Sequence, residues 1–156
     1  MNVADYLIDH SEFVWADLLH DWTWLVPTGA TVWLMNRFAE LVLVLEDGSV
    51  SYLETSVGAL RTIARDRDEF IVRIDQGNHA NEWMMIPLVD QCVAAGITLD
   101  ANQCYGFITP PTLGGQYEIS NVERSDIAVY LSVMGQVHKQ IEDLPDGTTI
   151  SGVVID

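Results

Sequence analysis

The residues that most often bind metals are few in this sequence and stand far apart. The chain has four histidines and two cysteines, and it contains neither a Cys-x-x-Cys nor a His-Glu-x-x-His motif. Zinc sites need three or four such ligands, usually including a closely spaced pair. We therefore expect no metal site and no cofactor. The histidines are His10, His20, His79 and His138, and we expect the last at the polar edge of a helix.

Nucleophile motifs are also absent from the sequence. There is no Gly-x-Ser-x-Gly segment, and neither Cys92 nor Cys104 has a basic neighbour that would lower its thiol pKa. We expect both cysteines to be buried and inert. No lysine follows Pro145-Asp146, which excludes a nuclease motif of the Pro-Asp, acid-x-Lys type. An acid–base pair of the glycosidase kind stays open, but we predict no catalytic residue.

The stretch from 103 to 127 is rich in glycine, proline and aromatic residues. Its segment PTLGGQY is no phosphate loop, because it lacks Lys followed by Ser or Thr and no helix begins directly after it. Gly114 and Gly115 are predicted to supply φ values that other residues avoid, and Pro110 and Pro111 to stiffen the entry. The segment is thus a shaped loop between two strands. Such a loop would display Thr112, Leu113, Gln116 and Tyr117.

The charge balance limits the possible partners. The chain of 156 residues carries 23 Asp and Glu against 7 Lys and Arg, a formal net charge of −16. Such a body repels phosphate backbones, so we expect no nucleic-acid binding. It attracts basic proteins and speeds encounter with them. The alternative is that the acidity only keeps an apolar-rich chain soluble.

Length and composition indicate one domain over residues 1–156 in the cytoplasm. With 49% hydrophobic residues the chain can bury a full core, yet its apolar runs are too short to span a membrane. The first residues do not resemble a signal peptide. Two cysteines do not make a disulfide framework, which favours the cytoplasm.

Hydrophobic periodicity predicts the elements of the N-terminal half. Residues 11–25 have the pattern of a helix capped by Ser11. The dipeptide Asp47-Gly48 is typical of a tight hairpin turn. Strands are predicted at residues 30–35, 40–45, 49–54 and 58–64.

The C-terminal half mixes helices with further strands. Asp66 and Glu69 have the spacing of a reciprocal helix cap, and the helix that they begin is expected to bury Phe70, Ile71 and Ile74. Ser125 is expected to cap the last helix. Helices are predicted after residues 66, 86 and 125, and strands at 104–108 and 117–124. The order of elements predicts an α+β fold with a mainly antiparallel sheet.

Several motifs of this half carry more than a general pattern, and they lie at Cys104–Phe107, Pro111–Tyr117, Asn121–Glu123, Gly135–Gln140 and Leu144–Thr148. Through them the sequence resembles a known bacterial family. It is similar to the C-terminal domain of type VI secretion immunity proteins, which protect a cell from its own DNase effector, over about residues 20–150. Some relatives carry an additional N-terminal portion called GAD-like, and from its length we expect this chain to lack room for a separate long domain of that kind.

This resemblance implies a non-enzymatic protein that binds a cognate toxin and blocks its basic cleft. For the contact surface we predict Tyr117 of the loop and exposed acids near the hairpin and a helix start, namely Glu46, Asp47, Asp66 and Asp68. Two alternatives stay open. One is a scaffold or adaptor module without toxin specificity, and the other is a small-ligand protein that uses the loop at 105–117.

Overall fold

A four-stranded antiparallel sheet, in the order β1-β2-β3-β4, forms the centre of the protein. The structure is a computed structural model that describes residues 2–156. Val44 of the second strand pairs with Val50 of the third across the turn at Asp47-Gly48, where Gly48 has a φ of +86°. The predicted hairpin is confirmed. The strands are β1 (Thr31–Met35), β2 (Leu41–Val44), β3 (Val50–Glu54) and β4 (Ala59–Ala64).

A second sheet of two antiparallel strands, β5 (Gln103–Phe107) and β6 (Val122–Asp126), leads directly into helix α5 (Ile127–Ile141). The strand predicted at 117–124 begins only at Val122, because the preceding residues Ile119–Asn121 form a 3₁₀ turn. The predicted cap Ser125 was also wrong. Ser125 lies in β6, and the carboxylate of Asp126 accepts the hydrogen bond from the Val129 amide.

Helix α2 (Arg67–Ile74) begins where the sequence predicted it. The Asp66 carboxylate accepts a hydrogen bond from the Glu69 amide at 2.8 Å. The Glu69 carboxylate accepts a hydrogen bond from the Arg65 amide at 3.3 Å. A reciprocal cap would use the amide of Asp66 instead, one residue later. Ile71, predicted to be buried, is instead 55% exposed, because only Phe70 of this short helix turns fully inward.

Two further helices follow α2. Helix α3 (His79–Trp83) is one that the sequence pattern did not predict, and it buries Trp83. Helix α4 (Ile86–Ala94) begins at the predicted place, with Pro87 in its first turn. The prediction of an α+β fold with a mainly antiparallel sheet is confirmed.

The continuous helix predicted for residues 11–25 is wrong. The segment contains only the short helix α1 (Trp15–Leu18) and a 3₁₀ turn at His20–Trp22, and the residue before α1 is Val14 rather than Ser11. Trp22 is completely buried, and its Nε1 donates to the carbonyl of Leu131 on α5 at 2.8 Å. A break in the helix lets this large side chain reach α5, so packing overrides the local pattern.

The buried core joins the central sheet to α5. One hydrophobic cluster contains Trp22, Leu43, Leu53, Leu131 and Met134, and two smaller ones lie under α2 to α4 and under the second sheet. No helix among residues 2–156 has both the length and the apolar character that a membrane crossing requires.

Candidate functional site

The loop between β5 and β6, residues 108–121, is bonded internally by the side chain of Asn121. We call it the display loop. Asn121 donates from Nδ2 to the carbonyls of Thr109 and Gln116, both at 2.9 Å, and its Oδ1 accepts from the Thr109 amide at 2.9 Å. One amide therefore joins both ends of the loop to its middle. Such bonding reduces the freedom that the loop would lose on binding.

Two adjacent glycines fit this loop for different reasons, and the positive φ predicted for both is found at Gly114 and not at Gly115. Gly114 has a φ of +94°, a conformation that costs other residues strain. Gly115 lies so close to Thr109 that a Cβ atom at its position would be 1.7 Å from the Thr109 carbonyl oxygen. Pro110 precedes the 3₁₀ turn at Pro111–Leu113, and its carbonyl accepts from the Gly115 amide at 3.1 Å.

Thr112 and His138 fasten the display loop to α5. The Thr112 hydroxyl oxygen lies 2.7 Å from Nε2 of His138, while Nδ1 of His138 lies 2.8 Å from the Met134 carbonyl. A carbonyl can only accept, so Nδ1 carries the proton and Nε2 of the neutral ring accepts from Thr112. Burial lowers the pKa of His138, which favours this neutral form. The expectation that His138 lies at a polar edge was wrong, since only 2% of it is exposed.

A buried carboxylate lies beneath the same region. Glu40 accepts hydrogen bonds from the Tyr52 hydroxyl at 2.7 Å and from the Ser56 hydroxyl at 2.8 Å. Burial raises its pKa from 4.5 to about 7, which the two hydrogen bonds oppose and the nearby Glu54 charge reinforces. The Ser56 carbonyl also lies 3.2 Å from the Thr112 hydroxyl oxygen, but the single proton of that hydroxyl is donated to His138, so Ser56 is a close neighbour of the display loop rather than a second hydrogen-bond partner.

The braced loop exposes three large apolar side chains. Ile108 is 56% exposed, Leu113 37% and Tyr117 52%. The ring of Tyr117 packs edge-on against Phe107, with the ring centres 5.3 Å apart, so its position is fixed although half of it faces solvent. A rigid aromatic with an exposed face is the kind of side chain that anchors protein interfaces.

The four predicted contact acids and Tyr117 lie at opposite ends of the central sheet. Glu46 and Asp47 belong to the β2–β3 turn, and the pairing of Val50 with Ala64 brings that turn beside Asp66 and Asp68. The display loop instead approaches Ser56 beyond the other end of β3. A five-residue strand separates the ends by roughly 15 Å. The structure therefore gathers the acids with one another and not with Tyr117.

Two of these acids also have local roles. Asp47 accepts from both the amide and the hydroxyl of Ser49, at 2.9 and 2.6 Å, and these bonds lower its pKa. Asp66 caps α2. Glu46 and Asp68 are exposed.

Most of the negative charge is uncompensated. The ion pairs among residues 2–156 use only three arginines and four acids, namely Arg61, Arg65, Arg73, Glu54, Asp66, Glu69 and Glu82. Four of the seven cationic residues of the chain lie between positions 61 and 73, near β4 and α2. The remaining surface is therefore strongly acidic. It attracts basic proteins and repels acidic ones.

Neither cysteine is placed for nucleophilic chemistry. Cys92 and Cys104 are both buried and free. Burial raises the pKa of Cys92 to about 11 and that of Cys104 to about 12, so their thiols stay protonated at neutral pH. Among residues 2–156, no three His, Cys, Asp or Glu side chains are grouped so that they could hold a metal ion.

A hollow of about 290 Å³ lies beside Thr112 and His138, next to the end of α5. If the protein bound a small ligand through the display loop, several polar side chains would have to point into such a hollow to hold the ligand. Two of its polar lining side chains, Thr112 and His138, already bond to each other, and the others, Glu142, Asp146 and Thr148, come from the segment after α5.

Sequence reasoning missed Thr112, His138 and Asn121 as the residues that hold the display loop. A signal was present, because Asn121 begins one motif of the family resemblance and His138 lies in another. Neither motif, however, indicates which groups meet in space.

The fold and the site define an α+β protein that presents a braced loop on an acidic body. Residues 64–138 match the model of the family described as T6SS immunity protein Tdi1, C-terminal. The match covers just under half of the chain and contains α2 to α4, both strands of the second sheet and the display loop. Over this segment, which is narrower than residues 20–150, the resemblance found in the sequence is confirmed.

A solved structure, that of Atu4351 from Agrobacterium tumefaciens, is similar in fold. The two share a TM-score of 0.52 at 16% identity, over 78% of this chain. The chain spans about 60% of the length of that protein, and at this identity the likeness shows the fold alone. None of the curated proteins compared with the chain matches it.

Proposed function

We propose that this protein is a non-enzymatic immunity protein that binds a cognate secreted toxin in the bacterial cytoplasm and neutralises it. The family match over residues 64–138 carries this proposal. The display loop supports it physically, because Asn121 and Thr112 brace a loop whose Leu113 and Tyr117 remain available to a partner. Pre-organised apolar side chains bind with a small entropy cost.

The toxin that fits the charge of this body is a basic protein, and a nuclease is the class we propose. A nuclease holds an anionic backbone and therefore has a basic cleft. Carboxylates of the immunity protein would occupy the positions of phosphates in that cleft and exclude the substrate. Neutralisation would then require occupancy only, with no reaction at the immunity protein.

The direct test is co-expression with the product of the neighbouring gene. We expect cells that express the toxin alone to die and cells that express both proteins to survive. Complex formation is then measured with purified proteins, and the association rate constant is expected to fall at least tenfold between 50 and 500 mM salt, because both bodies are strongly charged. Binding without survival would favour the adaptor alternative, and absence of binding would reject the proposal.

A further inference from the structure

A groove with an apolar floor and an acidic rim runs along the N-terminal segment, at a place that the sequence patterns did not indicate, and only one of its walls belongs to residues 64–138. It consists of two adjoining hollows of about 520 and 310 Å³, which share Glu12, Phe13 and Asn102. Residues 7–18 form one wall, and the 99–103 turn with the start of α5 forms the other. We call it the N-terminal groove.

The floor of this groove is apolar and fixed in place. Phe13 and Leu18 pack against the main core while remaining partly exposed, and Val14 beside them is 62% exposed. The wall is tied down by the Ile8 amide, which donates to the Met35 carbonyl of β1 at 2.8 Å. The groove is therefore a built surface rather than a gap left by a loose tail.

The rim carries five carboxylates and a single arginine. That arginine, Arg37, donates from Nε to the Asp5 carbonyl at 2.8 Å, and with its positive charge included the five carboxylates leave the rim a net charge of −4. None of the five acids belongs to an ion pair with another residue of the 2–156 range. They are Asp9, Glu12, Asp17, Asp100 and Asp126.

We infer that the N-terminal groove binds a basic amphipathic segment of a partner protein, with an apolar side chain on the Phe13–Leu18 floor and Lys or Arg side chains on the rim. Charge complementarity selects this occupant, since the rim would repel a nucleic acid and a second copy of this chain, itself at −16, would be repelled as well. The inference deepens the proposed function, on which it rests, and assigns the toxin a contact on this chain in addition to the one at the display loop.

The test compares two double variants with the same change of charge. Glu12→Gln with Asp17→Asn neutralises the rim. Glu142→Gln with Asp143→Asn is the matched control, because it lies just past the far end of the 15-residue helix α5, roughly 21 Å from the groove. All four residues are exposed, so both double variants are expected to fold as the wild type does.

Two probes distinguish a failure of the groove inference from a failure of the proposed function. The first is a synthetic twelve-residue peptide of alternating Arg and Leu, titrated into the labelled protein and followed by amide chemical shifts. We expect the largest shifts at residues 7–18, 99–103 and 126–129, and an affinity at least tenfold weaker for the rim variant but less than threefold weaker for the control. Shifts spread over the whole acidic surface, or equal losses in both variants, would overturn the inference.

The second probe is the purified toxin from the neighbouring gene. Tight binding that the rim variant retains in full would reject the groove while leaving the proposed function intact. If the wild type does not bind this toxin, the proposed function fails and so does the assignment of the groove to it. A dimer detected by sedimentation that the rim variant abolishes would show that a second copy occupies the groove, and this also would contradict the inference.

Discussion

The Thr112 hydroxyl and the His138 ring form a 2.7 Å hydrogen bond that joins the display loop to α5, twenty-six residues further along the chain. His138 is buried against Trp22, with ring centres 6.2 Å apart, and its other nitrogen bonds to Met134. The bond therefore attaches a surface loop to a fixed point of the core. A partner that recognises the loop would meet side chains already in position.

Thr112→Val tests this attachment. Valine keeps the volume but cannot donate to Nε2, so a buried acceptor loses its partner, and the free energy of unfolding should fall by about 1 kcal/mol in urea titrations. Thr109→Val is the matched control, since the Thr109 side chain is exposed and only its main chain bonds to Asn121. Equal stability of the two variants would show that the bond does not hold the loop.

Gly115→Ala should deform the display loop. The new methyl group would lie 1.7 Å from the Thr109 carbonyl oxygen, and neither backbone can yield without breaking the Asn121 bonds. We expect a loss of about 3 kcal/mol in unfolding free energy, at the upper end for overpacking, together with weaker toxin binding. Gly152→Ala, where nothing lies within 4 Å of the added atom, should leave stability and binding unchanged.

Leu113→Ser and Tyr117→Ala test the loop as a contact surface. Each should weaken the toxin affinity at least tenfold, as measured by calorimetry, because exposed anchors lose their burial in the complex. Val93→Ser, at a residue on α4 that is 64% exposed, removes a comparable side chain at a different surface and serves as control. Equal affinities for all three variants would place the toxin elsewhere on the protein.

Glu40→Gln should change how stability depends on pH. The pKa of Glu40 is about 7 in the folded protein against an ordinary value of 4.5, so the folded state binds this proton more tightly than the unfolded chain. Protonated Glu40 therefore contributes to the free energy of unfolding below about pH 4.5, and this stabilising contribution is lost as the pH rises to about 7. The loss amounts to about 3 kcal/mol. Glutamine cannot ionise, and its amide can still bond to Tyr52 and Ser56.

The measurement is the difference in unfolding free energy between wild type and Glu40→Gln from pH 4.5 to 8. It should shift by about 3 kcal/mol in favour of the variant as the pH rises. His138 acts in the opposite direction, because its lowered pKa costs stability as the pH falls below 6.5, but this effect is common to both proteins and cancels. Glu118→Gln, at an exposed carboxylate, should show no such trend. A constant difference for Glu40→Gln would mean that Glu40 has the same pKa in the folded protein as in the unfolded chain, which would contradict the prediction.

The sequence by itself determined those elements that depend on interactions between residues close together in the chain. The Asp47-Gly48 turn needs only a glycine at positive φ, and the start of α2 needs only the Asp66 side chain three residues before the Glu69 amide. The strands of the central sheet follow from β-branched and aliphatic runs around such turns. The net charge was fixed by composition alone, and the acidic character of the surface follows from it.

Only the tertiary structure decided features that depend on contacts between distant segments. The helix predicted at 11–25 is broken because Trp22 bonds to Leu131, and His138 is buried because Thr112 and Trp22 pack on it. The N-terminal groove likewise exists because residues 7–18 meet the 99–103 turn and α5. Periodicity reports interactions within a few residues, whereas these partners are separated by 26 to more than 100 positions, so no local pattern could specify them.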